Sequence, residues 1–446
     1  MTNSWTPDSW KNFEAKQQPQ YEKNDLDKII KELSTVPPLV FAGEIRSLRK
    51  SLTEVEQGRG FVLQAGDCAE SFDAFNAPSI REKLRVILQM AVVLTYSSGV
   101  PCIKIGRIAG QFAKPRSADF EKRGDEELPS YRGDIVNDIA FTQEARIPKA
   151  KRLLRGYNQS ASTLNLLRAF TKGGFADLSR VNAWNQEFIA STPEGNRYNI
   201  LASEITRALT FMRACGIDLE TEHQLHEVDF YTSHEALLLP YEQALTRNDS
   251  TTGDFYDCSA HLVWIGERTR EIDGAHVEFM RGINNPVGIK LGPTATGDDA
   301  LALIEKINPN NEEGKIIFVL RAGADKILDM APGIMQKVKD AGKNVTWMSD
   351  PMHGNTFTHS SGFKTRDFND VMREIKGFFE SCSIAGVWPG GVHLELTGDD
   401  VTECIGGVDS IEEIESKYET RCDPRLNARQ GLDLAFAVSE LLTKGR

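Results

Sequence analysis

The chain has 446 residues, of which 40% are hydrophobic and 26% are charged, an ordinary globular composition. Its formal net charge of −12 and pI near 5.3 argue against nucleic acid or an anionic membrane as the main partner. Because it shows no long apolar run and no secretory signal, we predict neither a membrane span nor export. The odd number of cysteines, seven, suggests free thiols in a reducing cytoplasm rather than a disulfide scaffold.

The first 58 residues (1–58) are predicted to form an extension ahead of the main domain. Residues 1–36 are polar and charged, but they include Trp5 and Trp10. Disordered tails seldom carry tryptophan, so we expect this arm to dock on the rest of the chain. The apolar pattern and the Pro-Pro break predict a helix at 26–33, a short strand at 39–41 and a helix at 44–52.

Downstream of the extension, eight short apolar runs predict buried β-strands. They lie at residues 61–65, 102–105, 228–231, 261–265, 287–289, 316–320, 344–348 and 391–394. Helical patterns separate most of these strands, at roughly 79–97, 235–246, 297–307, 324–340 and 366–382. Because no hairpin signal joins neighbouring strands, we expect the strands to be parallel.

Eight parallel strands with helical connections favour an α/β fold, the (β/α)8 TIM barrel. A doubly wound sheet is the alternative, but it usually has fewer strands and a Gly-rich fingerprint that this sequence lacks. A barrel needs about 250 residues, so a domain over residues 59–446 leaves room for insertions. We assign these to helices at about 173–215 and to an Arg-rich loop at 109–137, whose basic, Ser and Gly residues suit an anion.

Charged or metal-binding side chains follow the predicted strands. In chain order they are Cys68, Arg107, Glu235, Glu267 with Arg268, Lys290, Arg321, His353 and Glu395. In a barrel these positions meet in one mouth, because the loops after the strands gather at the carboxyl-terminal face. The thiol, imidazole and carboxylate of Cys68, His353 and Glu395 are typical ligands of a divalent transition metal. The arginines and the lysine form a cationic cluster suited to phosphate or carboxylate.

Nine motifs carry a resemblance to a known family. They are GDCAESF (66–72), GRIAGQFAKPRS (106–117), LPSYRGD (128–134), SHEALLLPYE (233–242), WIGERTR (264–270), GIKLGP (288–293), DPMHGNT (350–356), GGVHLELTGDDVTEC (390–404) and CDPRLN (422–427). From about residue 37 onward, the chain resembles the type II 3-deoxy-D-arabino-heptulosonate 7-phosphate (DAHP) synthases. The resemblance implies a metal-dependent transferase that condenses phosphoenolpyruvate with erythrose 4-phosphate, releases phosphate and begins the shikimate pathway.

The resemblance also implies roles for individual residues. The metal ligands would be Cys68, His353, Glu395 and Asp423, with Mn²⁺ or Co²⁺ as the expected ion. The phosphoenolpyruvate site would contain Arg107, Glu267, Arg268, Lys290 and Arg321. The erythrose phosphate would meet Lys114 and Ser117, with Arg268 and Lys364 nearby. The catalytic set would be Lys290, Glu267, Glu235 and Cys68, and either Glu235 or Glu267 would position or deprotonate the attacking water.

Other interpretations stay open at this point. A related synthase could use another aldose phosphate, and a metal-dependent aldolase would release no phosphate. A non-catalytic regulatory barrel is the third alternative, although such a copy is expected to have lost at least one metal ligand.

The resemblance further implies a homo-oligomer, a dimer or tetramer, and regulation by aromatic amino acids. The extension and the inserted helices would either bind these effectors or only form an interface between copies. If Cys68 and Asp423 share a metal, Cys422 lies close to Cys68, and oxidation of the metal-free protein would link the two thiols. The alternative is that Cys422 faces away as a small buried residue.

Overall fold

The computed structural model describes residues 5–191, 199–216, 227–407 and 413–444. Eight parallel strands, each paired with its neighbours in chain order, close into a barrel. They are β1 (Phe61–Gly66), β2 (Cys102–Arg107), β3 (Phe230–Glu235), β4 (Leu262–Ile265), β5 (Val287–Leu291), β6 (Ile316–Leu320), β7 (Thr346–Ser349) and β8 (Gly391–Glu395). The predicted (β/α)8 barrel and its eight strands are therefore confirmed.

Several strands extend beyond the apolar runs that predicted them. β2, β3 and β8 end on Arg107, Glu235 and Glu395, and these residues still pair with the neighbouring strands. The parallel ladder holds the backbone of each charged residue in a fixed position. The polar side chains at the carboxyl-terminal rim are thus mounted on rigid strands rather than on free loops.

Helices flank the barrel and connect its strands. They lie at Lys23–Leu33, Ala42–Glu56, Ala77–Ser98, Gln143–Arg146, Lys151–Lys172, Leu178–Ser191, Asn199–Ala214, Leu239–Leu245, Ala275–Met280, Gly297–Ile307, Ile327–Asp340, Phe368–Ala385 and Ala428–Lys444, with 3₁₀ turns at Ser9–Asn12 and Glu415–Lys417. The short helix between β4 and β5 was not predicted from the sequence. In the described ranges, no helix combines the length and the hydrophobicity that a bilayer crossing needs.

The helix Ala42–Glu56 of the extension closes the amino-terminal end of the barrel. Its Leu48, Leu52 and Val55 are at most 1% exposed. They pack in one cluster with residues of the barrel interior, including Val62 and Ile317. The amino-terminal end of the barrel is therefore sealed by a helix from outside the eight strand–helix units.

Trp5 and Trp10 attach the preceding arm to the outside of the barrel. The Nε1 atom of Trp5 donates to the carbonyl of Glu278 at 3.0 Å. The Nε1 atom of Trp10 donates to Oε1 of Gln243, also at 3.0 Å. Each indole thus donates to a residue of a helix that flanks the barrel, Ala275–Met280 for Trp5 and Leu239–Leu245 for Trp10. The arm is therefore docked on the barrel from residue 5 onward.

One expectation about the segment before the barrel was wrong. Residues 39–41 form no strand, because the N–H groups of Leu39 and Val40 both donate to the carbonyl of Cys258, at 3.1 Å, before the helix begins. Hairpins do occur outside the barrel, pairing Phe120–Arg123 with Glu126–Pro129, Thr246–Asn248 with Phe255–Asp257, and Thr356–Thr358 with Lys364–Arg366. These strands of three or four residues are mostly polar, so they lack the apolar alternation that predicts a strand.

The predicted insertion at 173–215 contains the helices Leu178–Ser191 and Asn199–Ala214, which pack against Ala77–Ser98. Residues 192–198 of this segment lie outside the described residues. The packing places the insertion beside β2, on the outer face of the barrel.

Candidate active site

A cavity of about 320 Å³ lies at the carboxyl ends of the barrel strands. It is lined by Arg107, Gln111, Lys114, Pro115, Arg116, Ser117, Glu235, Trp264, Gly266, Glu267, Arg268, Lys290, Arg321, His353, Thr356, Phe357, Thr358, Lys364 and Asp423. The predicted site residues are all in this set except Cys68 and Glu395, which are buried next to it. The structure therefore brings the predicted side chains together in one mouth, as the barrel geometry requires.

Four candidate metal donors converge beside the cavity. Ligand atoms of Cys68, Glu395 and Asp423 all lie within 4.8 Å of one another. His353 joins them, with its Nε2 atom 3.0 Å from Oε1 of Glu395. A thiolate, an imidazole and two carboxylates are a donor set suited to a divalent transition metal. The residues present thus fit such an ion.

Asp350 orients His353. Oδ2 of Asp350 lies 2.8 Å from Nδ1 of His353 and 2.8 Å from Nζ of Lys290. When Nδ1 donates to this carboxylate, the lone pair of Nε2 faces the other donors, an arrangement common behind metal-binding histidines. Burial would raise the pKa of Asp350, but His353 and Lys290 hold it well below its ordinary value.

Lys114 lies among the candidate metal donors rather than at the rim. Its Nζ atom is 2.8 Å from Sγ of Cys68, 2.7 Å from Oδ2 of Asp423 and 3.5 Å from Oε1 of Glu395. Burial would lower the pKa of Lys114, but these neighbours, Asp423 foremost, raise it well above its ordinary value. The ammonium group of Lys114 therefore offsets part of the negative charge of Glu395 and Asp423. Ser117, from the same motif, is exposed.

The predicted cations divide into two kinds. Arg107 and Lys290 are buried and paired, with Nη2 of Arg107 2.9 Å from Oε1 of Glu395 and Lys290 bound to Asp350. Burial, followed by the nearby Arg107, lowers the pKa of Lys290. Neither Arg268 nor Arg321 forms an ion pair within the described ranges, although Arg321 donates to the carbonyl of His353 at 3.1 Å. These two arginines leave positive charge available to an anion in the cavity.

Glu235 and Glu267 have different surroundings. Both oxygens of Glu267 accept hydrogen bonds from Arg270, at 2.8 and 3.0 Å. Glu235 is 9% exposed, and its Oε1 atom has no hydrogen-bond partner within the described part of the chain. Burial raises the pKa of Glu235. Glu235 therefore has an oxygen free to accept a proton from a bound water.

Two residues of the site were missed by the sequence analysis. Arg366 is fully buried, and its Nη2 atom lies 2.8 Å from Oε2 of Glu395. Trp264 lines the cavity, and the guanidinium of Arg107 lies over its ring, 5.2 Å from the centroid. Trp264 opens the motif WIGERTR, whereas Arg366 lies between two of the nine motifs. Their roles, however, depend on partners from distant strands, which no local pattern reveals.

Arg425 ties together the loops that carry Cys68 and Asp423. Its Nη1 atom lies 2.8 Å from Oδ1 of Asp67, the residue before Cys68. Its Nη2 atom lies 2.8 Å from Oε1 of Glu403, which is fully buried. The guanidinium of Arg425 thus pairs with two buried carboxylates, those of Asp67 and Glu403. Through Asp67 it fixes the position of the loop that carries Cys68 relative to the loop that carries Asp423.

Cys68 and Cys422 are neighbours, so Cys422 does not face away from the site. A hydrogen bond with Cys68 lowers the pKa of the Cys422 thiol. Burial, followed by the same hydrogen bond, raises the pKa of Cys68 well above its ordinary value. All seven cysteines are free thiols in this structure, and the oxidative link between these two stays a prediction.

The fold and the site together define a class of protein, a (β/α)8-barrel enzyme with a cluster of candidate metal donors beside a cavity lined by cationic side chains. The description "Class-II DAHP synthetase family" belongs to the family model that matches residues 5–439. The chain is 55% identical to the phospho-2-dehydro-3-deoxyheptonate aldolase of Streptomyces coelicolor over 436 aligned residues. The alignment covers 97% of this chain and 96% of the relative. The chain is 47% identical over 435 residues to the enzyme of that name from Mycolicibacterium smegmatis, covering 96% of this chain and 92% of the relative. The chain belongs to the class II DAHP synthetase family.

The Arg425 network leads to a prediction about stability. Arg425→Met removes the partner of two buried carboxylates, a change that typically costs about 3–5 kcal/mol. We therefore expect a large decrease in the urea midpoint of unfolding. As a control, Arg373→Met removes an arginine whose side chain is 55% exposed and paired only at the surface, and the midpoint should not change. Equal midpoints for the two variants would contradict a structural role of Arg425.

Proposed function

We propose that this chain is a DAHP synthase, which condenses phosphoenolpyruvate with D-erythrose 4-phosphate and releases inorganic phosphate. The observation that carries the proposal is the convergence, at one barrel mouth, of a metal-donor cluster and a cationic cavity. Each half serves one requirement of the reaction, since an aldehyde must be activated and two phosphorylated anions must be held together. The two relatives, both named phospho-2-dehydro-3-deoxyheptonate aldolase, support this assignment.

Cys68, His353, Glu395 and Asp423 would hold the divalent metal, with Mn²⁺ or Co²⁺ as the expected ion. When bound, such an ion supplies Lewis acidity to the aldehyde carbonyl of erythrose 4-phosphate. Asp350 fixes the ring of His353 from behind, which keeps Nε2 directed at the cluster. Because the pKa of Cys68 is raised, metal loading should release a proton from its thiol.

The cationic groups of the cavity would bind and orient the two substrates. Arg268 and Arg321, which have no carboxylate partner in the described chain, suit the phosphate and carboxylate of phosphoenolpyruvate. Arg107 and Lys290, which are buried in the floor of the cavity and paired with carboxylates, add further positive charge. Ser117 and Lys364, which line the rim of the cavity, would meet the erythrose phosphate, with Lys114 deeper in the cavity.

Glu235 is our candidate for positioning and deprotonating the water that adds to C2 of phosphoenolpyruvate. Attack of C3 on the aldehyde carbon leaves positive character at C2, and addition of water there gives an adduct that expels phosphate. The free Oε1 atom of Glu235 and its raised pKa suit a proton acceptor. Glu267 is engaged by Arg270, so we assign it to binding and to holding the loop after β4.

The rival interpretations differ from this one in their products. A barrel kept only for regulation is disfavoured because the four proposed ligands are present and close together. A simple aldolase would release no phosphate, and a related synthase would prefer another aldose phosphate.

The seven free thiols agree with the cytoplasmic location predicted from the sequence.

The first test measures phosphate release from phosphoenolpyruvate with erythrose 4-phosphate, arabinose 5-phosphate or ribose 5-phosphate. We expect turnover with erythrose 4-phosphate, loss of turnover after chelation, and recovery with Mn²⁺ or Co²⁺. His353→Ala should remain folded but bind Mn²⁺ far more weakly, as measured by calorimetry. Full activity of a metal-free preparation, or wild-type Mn²⁺ affinity in the variant, would rule out the proposed metal site.

The cationic cavity makes a second prediction. Arg321→Ala and Lys290→Ala should each lose at least about 2 kcal/mol in kcat/KM for phosphoenolpyruvate, the scale for removing one partner of a buried charged contact. Lys326→Ala is a matched control, because Lys326 is exposed beyond the same loop as Arg321 and does not line the cavity. Wild-type kinetics in Arg321→Ala or Lys290→Ala would place the substrate elsewhere.

We also propose that the inserted helices bind an aromatic amino acid. A second cavity of about 340 Å³ lies between the insertion and the helix Ala77–Ser98. Its wall is largely apolar, with Val92, Ile205 and Leu209 among its residues, and Lys104 is its charged group. Burial lowers the pKa of Lys104. An apolar wall with one cation suits a ligand that has an aromatic ring and a carboxylate.

The same helices also suit a contact between copies in a homo-oligomer. Ile200 and Phe211, three turns apart on the helix Asn199–Ala214, are 73% and 68% exposed. Large apolar side chains at such exposure are typical of an interaction surface. An effector bound beneath this helix would therefore lie close to the proposed dimer or tetramer interface.

The effector proposal is tested by titrating Trp, Phe and Tyr, singly and in combination, against the rate of phosphate release. We expect inhibition by at least one combination, and Lys104→Met should weaken it without changing KM for phosphoenolpyruvate. Lys151→Met, an exposed lysine on a neighbouring helix, is the control. Indifference to all three amino acids in every combination would leave the insertion with an interface role alone.

A further inference from the structure

The loop after β6 and the loop after β7 are in direct contact with each other. The loop after β6 begins with Arg321, and the loop after β7 contains His353. Nη2 of Arg321 donates to the carbonyl of His353 at 3.1 Å. The backbones of Gly323 and Gly354 touch, so a Cβ atom added at Gly354 would collide with Gly323. Any shift of one loop must therefore move the other.

Glu374, on the helix Phe368–Ala385, holds both loops from behind. It is fully buried. Its Oε1 atom accepts the N–H groups of Ala322 at 2.8 Å and Gly323 at 2.9 Å, in the loop after β6. Its Oε2 atom accepts Nδ2 of Asn355 at 2.7 Å, in the loop after β7. One carboxylate thus fixes the backbone of one loop and a side chain of the other.

Asn355 completes the connection. Its Nδ2 atom also donates to the carbonyl of Pro351 at 2.8 Å, and its Oδ1 atom accepts the N–H of Ala324 at 3.0 Å. Both hydrogens of the amide and its oxygen are therefore used. Glu374 and Asn355 together make five hydrogen bonds to these two loops and to each other.

Glu374 has no cationic partner within the described residues, which is unusual for a buried carboxylate. Three N–H groups converge on it instead, and an ionised carboxylate can accept all three. Burial raises the pKa of Glu374 to about 7, while the hydrogen bonds from the N–H groups of Gly323 and Ala322 favour its ionised form. Gln at this position would fail in either orientation, because its NH₂ group would face either the Asn355 amide or the two backbone N–H groups. The site thus selects a carboxylate by its hydrogen-bonding pattern.

We infer that Glu374 is a positioning residue that couples the phosphoenolpyruvate site to the metal site, an inference that rests on the roles proposed above for Arg321 and His353. Through Asn355 it sets the distance between the guanidinium of Arg321 and the imidazole of His353. Loosening this connection should weaken both sites together, although Glu374 touches neither substrate nor metal.

The test compares Glu374→Gln, Asn355→Ala, Asn355→Asp and the double variant Glu374→Gln/Asn355→Asp with the control Glu380→Gln. Glu380 is exposed on the same helix. The double variant restores the bond between the two side chains, because the Gln amide can donate to the new Asp carboxylate, which also accepts the N–H of Ala324. It does not restore the bond to the carbonyl of Pro351, because the Asp carboxylate has no N–H to donate. The Kd for Mn²⁺ is measured from free Mn²⁺ by electron paramagnetic resonance. The Kd for phosphoenolpyruvate is measured by calorimetry.

Glu374→Gln should raise both Kd values by about tenfold, the scale seen for residues behind metal ligands. Asn355→Ala should raise both Kd values by a smaller factor. This variant tests the same connection if Glu374→Gln does not fold. KM for erythrose 4-phosphate should change little. The double variant should have lower Kd values than both Glu374→Gln and Asn355→Asp, but it should not reach the wild-type values, because the bond to Pro351 stays broken.

A change in only one Kd, a lower unfolding midpoint with both Kd values unchanged, or a double variant no better than its parents would overturn the coupling. Neither Kd depends on turnover. If the wild-type protein forms no DAHP, the proposed function fails while the two Kd values still decide the coupling.

Discussion

The carboxylate of Glu395 is the interaction on which the rest of the site depends. It ends β8, paired with Gly66 of β1 at the seam where the barrel closes. Arg107, Arg366 and Lys114 surround it, at 2.9, 2.8 and 3.5 Å, and His353 lies 3.0 Å away. Burial would raise the pKa of Glu395, but His353 and these cations hold it well below its ordinary value. Without this anion, several buried cations would lose their partner, which is costly in a protein interior.

Buried carboxylates also explain how loops at this face can be held still. Loops after barrel strands usually vary and move. Here Glu70 accepts the N–H groups of Ala109, Gly110 and Gln111, at 3.1, 2.8 and 2.8 Å, and so fixes the loop after β2 to the loop after β1. Glu374 does the same for the loops after β6 and β7. In both cases an acidic side chain folds back on backbone N–H groups. In the loop after β6, this leaves the adjacent Arg321 without a carboxylate partner in the described part of the chain.

The sequence revealed the barrel because buried parallel strands are nearly continuous apolar runs, and it revealed the mouth because charged residues follow those runs. Asp423 follows no barrel strand, so only the family resemblance pointed to it. The place of Lys114 among the metal donors could not be predicted, since it depends on how the loop after β2 folds over the barrel mouth. Arg366 and Trp264 were missed because their partners come from strands that are distant in the sequence.

The helix Ala42–Glu56 has a consequence for how the chain is divided. By sequence it belongs to an extension, separate from the barrel that begins at residue 59. By packing, Leu48, Leu52 and Val55 are part of the barrel interior, in one cluster with Val62 and Ile317. A cut between the extension and the first strand would therefore pass through a hydrophobic core rather than through a linker. The two segments share one hydrophobic core, and the interior of the barrel is complete only with the helix that precedes its first strand.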